Sequence, residues 1–115
     1  MRERGDKPMR VSQAKFAEMY WTFGQMVAHH TSNGCNLRPG DLLGSGTISS
    51  PTPDGYGSLL EITEGGRRAI ALASGSTRTF LEDGDEVIIR ARAERDGFVS
   101  IGLGDVRGIV MASEA

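Results

Sequence analysis

The chain has 115 residues, with 13 Lys and Arg against 15 Asp and Glu and a formal net charge of −2; that balance excludes a binder that relies on clustered positive charge to hold nucleic acid. Apolar residues make up 38% and charged residues 24%, which excludes wholesale disorder. The 16 glycines are about twice the usual share of ~7% and favour many turns and short strands over long helices. In chain order, residues 1–11 are polar, with Gly5 and Pro8, and read as a loose, flexible lead-in. Ser12 has the chemistry to cap a helix, because its hydroxyl accepts an early orphan amide. Phe16, Met19, Tyr20, Phe23, Met26 and Val27 then recur at three- and four-residue steps, the stripe of an amphipathic helix. That helix is expected to end near His30, with Asn33-Gly34 as its stop.

The remainder reads as strands. Residues 41–49 follow an Arg38-Pro39-Gly40 turn. Residues 58–63 alternate, with Leu60 and Ile62 on one face and Leu59, Glu61 and Thr63 on the other. Gly65-Gly66 turns the chain into a strand over 68–72, and Ser74-Gly75-Ser76 into one over 77–81. Asp83-Gly84 is a hairpin signal leading to residues 86–93, the clearest strand. Asp96-Gly97 turns into 98–103, and 109–111 adds a last short strand. Turns about every ten residues suggest a barrel or sandwich-like sheet. The expected fold is mainly β (α+β), a leading amphipathic helix followed by a mixed, barrel-like sheet. No repeat or composition break divides residues 12–115.

The single cysteine, Cys35, excludes an internal disulfide and a cysteine-built zinc site. A lone cysteine is chiefly a small buried hydrophobe; a nucleophile needs a base within hydrogen-bond reach, which spacing alone does not establish. Adjacent His29 and His30 point about 100° apart on a helix and do not ligate one ion together. In a last helical turn they favour the helix dipole instead. Thr47 stands in Gly44-Ser45-Gly46-Thr47-Ile48-Ser49, where the glycines allow either close approach to a ligand or a bulge. No P-loop lysine follows. Glu61 has aliphatic neighbours; it belongs on a solvated face, the reading favoured by the residues alone, or in a site that holds it. Arg90 and Arg92 read as a solvated face. No apolar run approaches the ~18 residues of a membrane span. MRERGDKPMR lacks the apolar stretch of a signal peptide, so cytoplasmic is the simplest expectation.

One block is more specific. His29-His30-Thr31-Ser32-Asn33-Gly34-Cys35-Asn36-Leu37-Arg38-Pro39-Gly40-Asp41-Leu42-Leu43, preceded by Tyr20-Trp21-Thr22, resembles the fumarylacetoacetase (fumarylacetoacetate hydrolase) family. The likeness continues through Ser45–Ser49, Gly57–Glu61, Phe80–Ile89 and Ile101–Gly104. It runs from about residue 12 to the end and covers only the C-terminal part of a family member, so Met1 reads as an internal methionine or a fragment start. The resemblance implies hydrolysis of the carbon–carbon bond of fumarylacetoacetate to fumarate and acetoacetate, in phenylalanine and tyrosine breakdown. It implies a histidine that activates water and a divalent ion, Mg2+ or Ca2+, acting as a Lewis acid. It also implies basic residues that stabilise the oxyanion. Two positions carry over: Glu61 as the carboxylate that orients the catalytic histidine, and Thr47 as a substrate contact. The metal ligands, the histidine and the basic residues are expected in the part not present, so His29 and His30 receive no catalytic role. The chain alone is expected to be inactive. The resemblance further implies a homodimer with a small-molecule substrate, and neither nucleic acid nor membrane as partner. The alternatives are a related diketo-acid or acylpyruvate hydrolase, against which the SGTISSP element argues, and a non-catalytic β-rich binding module.

Overall fold

A computed structural model describes residues 7–113. Arg10–Arg68 form one compact unit, and a second is built from Ala69 onward, with residues 7–9. The expected lead-in falls partly outside the described residues; 7–11 are exposed and irregular.

In the first unit, the apolar stripe is divided between two short helices. A single 3-10 turn spans Phe16–Glu18, and helix α1 spans Phe23–Thr31. The break comes from Thr22, whose extended backbone and side chain begin α1. Its hydroxyl accepts the Gln25 amide at 3.3 Å, and the Gln25 side chain accepts the Thr22 amide at 2.9 Å. This capping box satisfies two orphan donors reciprocally. Ser12 caps no helix; its hydroxyl donates to the Tyr56 carbonyl, and the Gln13 amide donates to Asp54 at 2.8 Å. Across the break, Phe16 and Phe23 stack with ring centroids 5.7 Å apart, and Tyr20 meets Trp21 edge-on at 4.8 Å. His29 and His30 lie in the last turn of α1, and the Gly34 amide closes the stop by donating to Thr31.

Residues 41–50 form no strand among the described residues. This segment bonds instead to the chain that returns through a 3-10 turn at Pro53–Gly55. The Ser50 amide donates to the Gly55 carbonyl at 2.8 Å. The approach is close enough to require glycine: a Cβ on Gly55 would sit 2.7 Å from Ser50 Oγ. The expected strand over 58–63 is instead one turn of helix, α2, over Leu59–Ile62. Alternation over six residues is weak evidence, and Ser58 decides the matter. Its hydroxyl accepts the Glu61 amide at 3.3 Å, the N-cap bond that starts a helix. Thr63, fully buried, closes the turn by donating to Leu59 and accepting the Gly66 amide.

The second unit holds two antiparallel pairs. Strands β1 (Ile70–Ala71) and β2 (Thr77–Arg78) make one sheet, and β3 (Glu86–Ala93) and β4 (Ile101–Ile109) the other. The chain is thus α+β, with strands shorter and fewer than expected. Strand β4 merges the expected 98–103 and 109–111 segments but starts only at Ile101. The Asp96-Gly97 turn forms as expected, with the Phe98 amide donating to Arg95 at 3.0 Å. Arg90 faces Asp105 while Arg92 faces Gly102, so β4 carries an extra residue, a β-bulge. Gly104 at φ +85° takes the left-handed conformation there. Asp83-Gly84 does turn the chain, but it joins no hairpin, because β2 and β3 belong to different sheets. The turn is held by Asp85, only 4% exposed. Its carboxylate accepts from Arg78 Nε at 2.9 Å and from the Glu82 amide at 3.0 Å.

No apolar side chain is buried among the described residues. Phe16, Trp21 and Phe23 in the first unit, and Ile89, Leu103 and Val106 in the second, are all exposed. Surfaces of this kind mark interaction faces.

Candidate functional site

The capped turn at Ser58 places Glu61. In a Ser-x-x-Glu box the fourth residue turns back toward the cap, and here the Ser58 hydroxyl donates to Glu61 Oε2 at 2.8 Å. A second hydroxyl reaches the same carboxylate from twelve residues away. Ser49 Oγ lies 2.8 Å from both Oε1 and Oε2. It also accepts the Gly57 amide at 3.0 Å. Hydrogen bonds to the charged form favour that form. The Ser58 hydroxyl first, and the Ser49 hydroxyl second, hold the Glu61 carboxyl below the usual carboxylate range. Glu61 is exposed, as the solvated-face reading expects, and two serine hydroxyls fix its carboxylate there.

Thr47 joins this arrangement through the backbone. The segment 47–48 packs so tightly on Gly57 that a Cβ there would meet Thr47 Cγ2 at 2.6 Å and the Ile48 carbonyl oxygen closer still. Gly57 therefore touches the Thr47 segment on one side and donates to Ser49 on the other. Thr47 also lines an open cleft of about 220 Å³, with Glu18, Tyr20, Trp21, Ser45 and Ser49.

The other candidates stand apart from Glu61. None of its hydrogen bonds comes from a histidine. His30 Nε2 instead lies 3.4 Å from Cys35 Sγ. Cys35 is exposed rather than buried, because Asn33 caps its amide in a surface turn. Arg90 pairs with Asp105 at 2.8 Å and Arg92 with Glu94 at 3.1 Å, both on the accessible surface of the hairpin. Among the described residues no three His, Cys, Asp or Glu side chains come together in a way that could hold a metal ion. The residues present therefore do not fit Mg2+ or Ca2+ by themselves. Nor is any helix among them long and apolar enough to cross a membrane.

Sequence reasoning passed over Ser49 and Ser58. For Ser58 a signal was present: Ser58-Leu59-Leu60-Glu61 is a capping-box pattern. For Ser49 there was none, since its bond to Glu61 is tertiary.

The sequence matches the family model described as Fumarylacetoacetate (FAA) hydrolase C-terminal over residues 6–111. It is 50% identical over 103 residues to the fumarylacetoacetase of Arabidopsis thaliana, covering 90% of this chain and 24% of that protein. It is 52% identical over 101 residues to the human fumarylacetoacetase, covering 88% of this chain and 24% of that protein. To that of Dictyostelium discoideum it is 44% identical over 110 residues, 94% of this chain and 26% of that protein. The chain thus spans about a quarter of the length of these curated relatives. With the family model matched along nearly its whole length, the chain belongs to the fumarylacetoacetate hydrolase family, as its C-terminal part.

Proposed function

We propose that this chain supplies Glu61 and Thr47 to the active site of a fumarylacetoacetase, which hydrolyses the carbon–carbon bond of fumarylacetoacetate to fumarate and acetoacetate. The observation that carries the reading is the Glu61 carboxylate, held ionised by two serine hydroxyls beside the segment that bears Thr47. Oε1 accepts the Ser49 hydroxyl, and a carboxylate oxygen, with two lone pairs, has room for an imidazole N–H beside it. A histidine from the remainder of a full-length member donates to it there. The ionised carboxylate fixes the tautomer and stabilises the imidazolium formed when the other ring nitrogen takes a proton from water. Thr47 presents its side chain to the bound diketone from the wall of the cleft.

In this reading a divalent ion, Mg2+ or Ca2+, would supply Lewis-acid chemistry when bound. Its ligands lie outside this chain, and no role of the residues described here runs through it. The enzyme is a cytoplasmic homodimer, and its barrel-like enclosure is completed by the remainder of a full-length member. The exposed aromatic and aliphatic side chains of both units support an assembly that covers them.

The test is a chimera: human fumarylacetoacetase with this chain in place of the matching quarter. Glu61→Gln in the chimera lowers turnover by up to about 10⁴-fold, the cost of losing the carboxylate that holds a catalytic histidine in the right tautomer, with little change in folding. A chimera that folds but does not hydrolyse fumarylacetoacetate, or a Glu61→Gln variant at full turnover, refutes the reading.

A further inference from the structure

The structure assigns a second role at this site: we propose that Ser49 is a positioning residue, whose hydroxyl fixes the Glu61 carboxylate and ties it to the segment carrying Thr47. The inference rests on the reading that Glu61 orients a histidine. Ser58 alone does not accomplish this. Its hydroxyl is three residues from Glu61, caps α2, and reaches only Oε2. A glutamate anchored at one oxygen still swings about its last torsion. Ser49 Oγ spans both oxygens at 2.8 Å, and that second anchor sets the plane of the carboxylate.

Ser49 is itself held. It accepts the Gly57 amide at 3.0 Å, so its one proton is directed to the carboxylate. The Gly57 backbone also abuts Thr47 and Ile48, too closely for any side chain. Three groups from separate stretches of chain therefore lock into one geometry: the Thr47–Ser49 segment, the Gly57 backbone and the Glu61 side chain. Ser49 is the only one of them whose side chain bonds to both others. No ionic partner takes part in holding Glu61 charged; hydroxyl and amide donors do so. Catalytic geometry is sensitive to sub-ångström placement, and groups that fix a catalytic side chain are worth about ten- to a hundredfold in rate.

The experiment uses the same chimera with Ser49→Ala and Ser49→Thr, beside Glu61→Gln. Steady-state hydrolysis of fumarylacetoacetate is followed across pH. For Ser49→Ala the expected result is a fall in kcat of about tenfold, with KM changed less than about threefold. The acid limb of kcat/KM moves to higher pH, because Glu61 loses a donor that favours its ionised form. Ser49→Thr keeps a hydroxyl and restores both the rate and the limb. Full turnover in Ser49→Ala beside an impaired Glu61→Gln overturns this inference and leaves the reading of Glu61 standing. Full turnover in Glu61→Gln ends both. A fall in kcat for Ser49→Ala with an unmoved acid limb, or one that Thr does not restore, makes Ser49 merely structural and also overturns the inference. Should Ser49→Ala not fold, Ser49→Cys, of similar shape with a weaker donor, takes its place: a lower kcat with the acid limb moved to higher pH supports the inference, and an unmoved limb or full turnover overturns it.

Discussion

Gly57→Ala is the sharpest single perturbation of the proposed site, because it touches neither Glu61 nor Thr47 chemically. The added methyl would stand 2.6 Å from Thr47 Cγ2 and closer still to the Ile48 carbonyl. Carbon atoms in contact rest about 3.5–4.0 Å apart, so the Thr47 segment must retreat by about 1 Å. The obstacle includes a backbone carbonyl, which cannot swing aside as a side-chain tip can. Overpacking of this kind destabilises by about 1–3 kcal/mol. The catalytic loss is of similar size: misplacing a positioning group by about 1 Å lowers rate by about 10²-fold, or about 2.7 kcal/mol. The assay is kcat and KM for fumarylacetoacetate in the chimera, with a crystal structure of the variant to measure the displacement. A variant that keeps full kcat/KM while its Thr47 segment has moved by about 1 Å would refute the claim that this junction sets the site. An unmoved segment would refute the steric reasoning behind it.

Two further outcomes are expected of the chain's stability. Asp85→Asn weakens the buried anchor of the Arg78 turn and lowers stability by about 1–3 kcal/mol at neutral pH in urea denaturation. Arg78, foremost among the causes, lowers the Asp85 pKa in the folded chain. The stabilisation is therefore present above the unfolded carboxylate value and is lost as pH falls through the lower folded value. The denaturation midpoints of Asp85→Asn and the parent should thus converge below about pH 4; a gap that persists undiminished in acid would contradict this. Thr22→Ala removes the cap of α1 and destabilises that helix by about 1 kcal/mol. Faster amide hydrogen exchange over Phe23–Gln25 reports it, and unchanged exchange would mean the capping box holds nothing.

The strand at 86–93 was legible because eight residues of β-branched and aliphatic pattern lie between two Asp-Gly turns. The stop of α1 was legible because Asn33-Gly34 ends a helix by its own backbone preference. The errors cluster where a hydroxyl overrides a pattern. Thr22 and Ser58 each cap a helix, Thr22 in a full capping box with Gln25 and Ser58 by accepting the Glu61 amide. In each case a local side-chain bond outweighed the periodicity of the flanking apolar residues. The first cut one long stripe in two, and the second turned an alternating strand into a helical turn. Cys35 was misplaced for a similar reason: Asn33 draws it into a surface turn despite its apolar character.

Family membership and the identities of Glu61 and Thr47 as site candidates were determined by the sequence itself, since they rest on which residues follow one another. So was the end of α1 near His30, with both histidines in its last turn. Only tertiary structure decided that Glu61 is held by Ser49, that Gly57 is the floor under Thr47, and that Asp85 anchors a turn rather than a hairpin. The physical reason is range. Capping and turn formation act over three or four residues and leave a trace in local order. A hydrogen bond between residues 49 and 61, or a contact that tolerates no methyl group, depends on how two stretches of chain meet, and that meeting has no local signature.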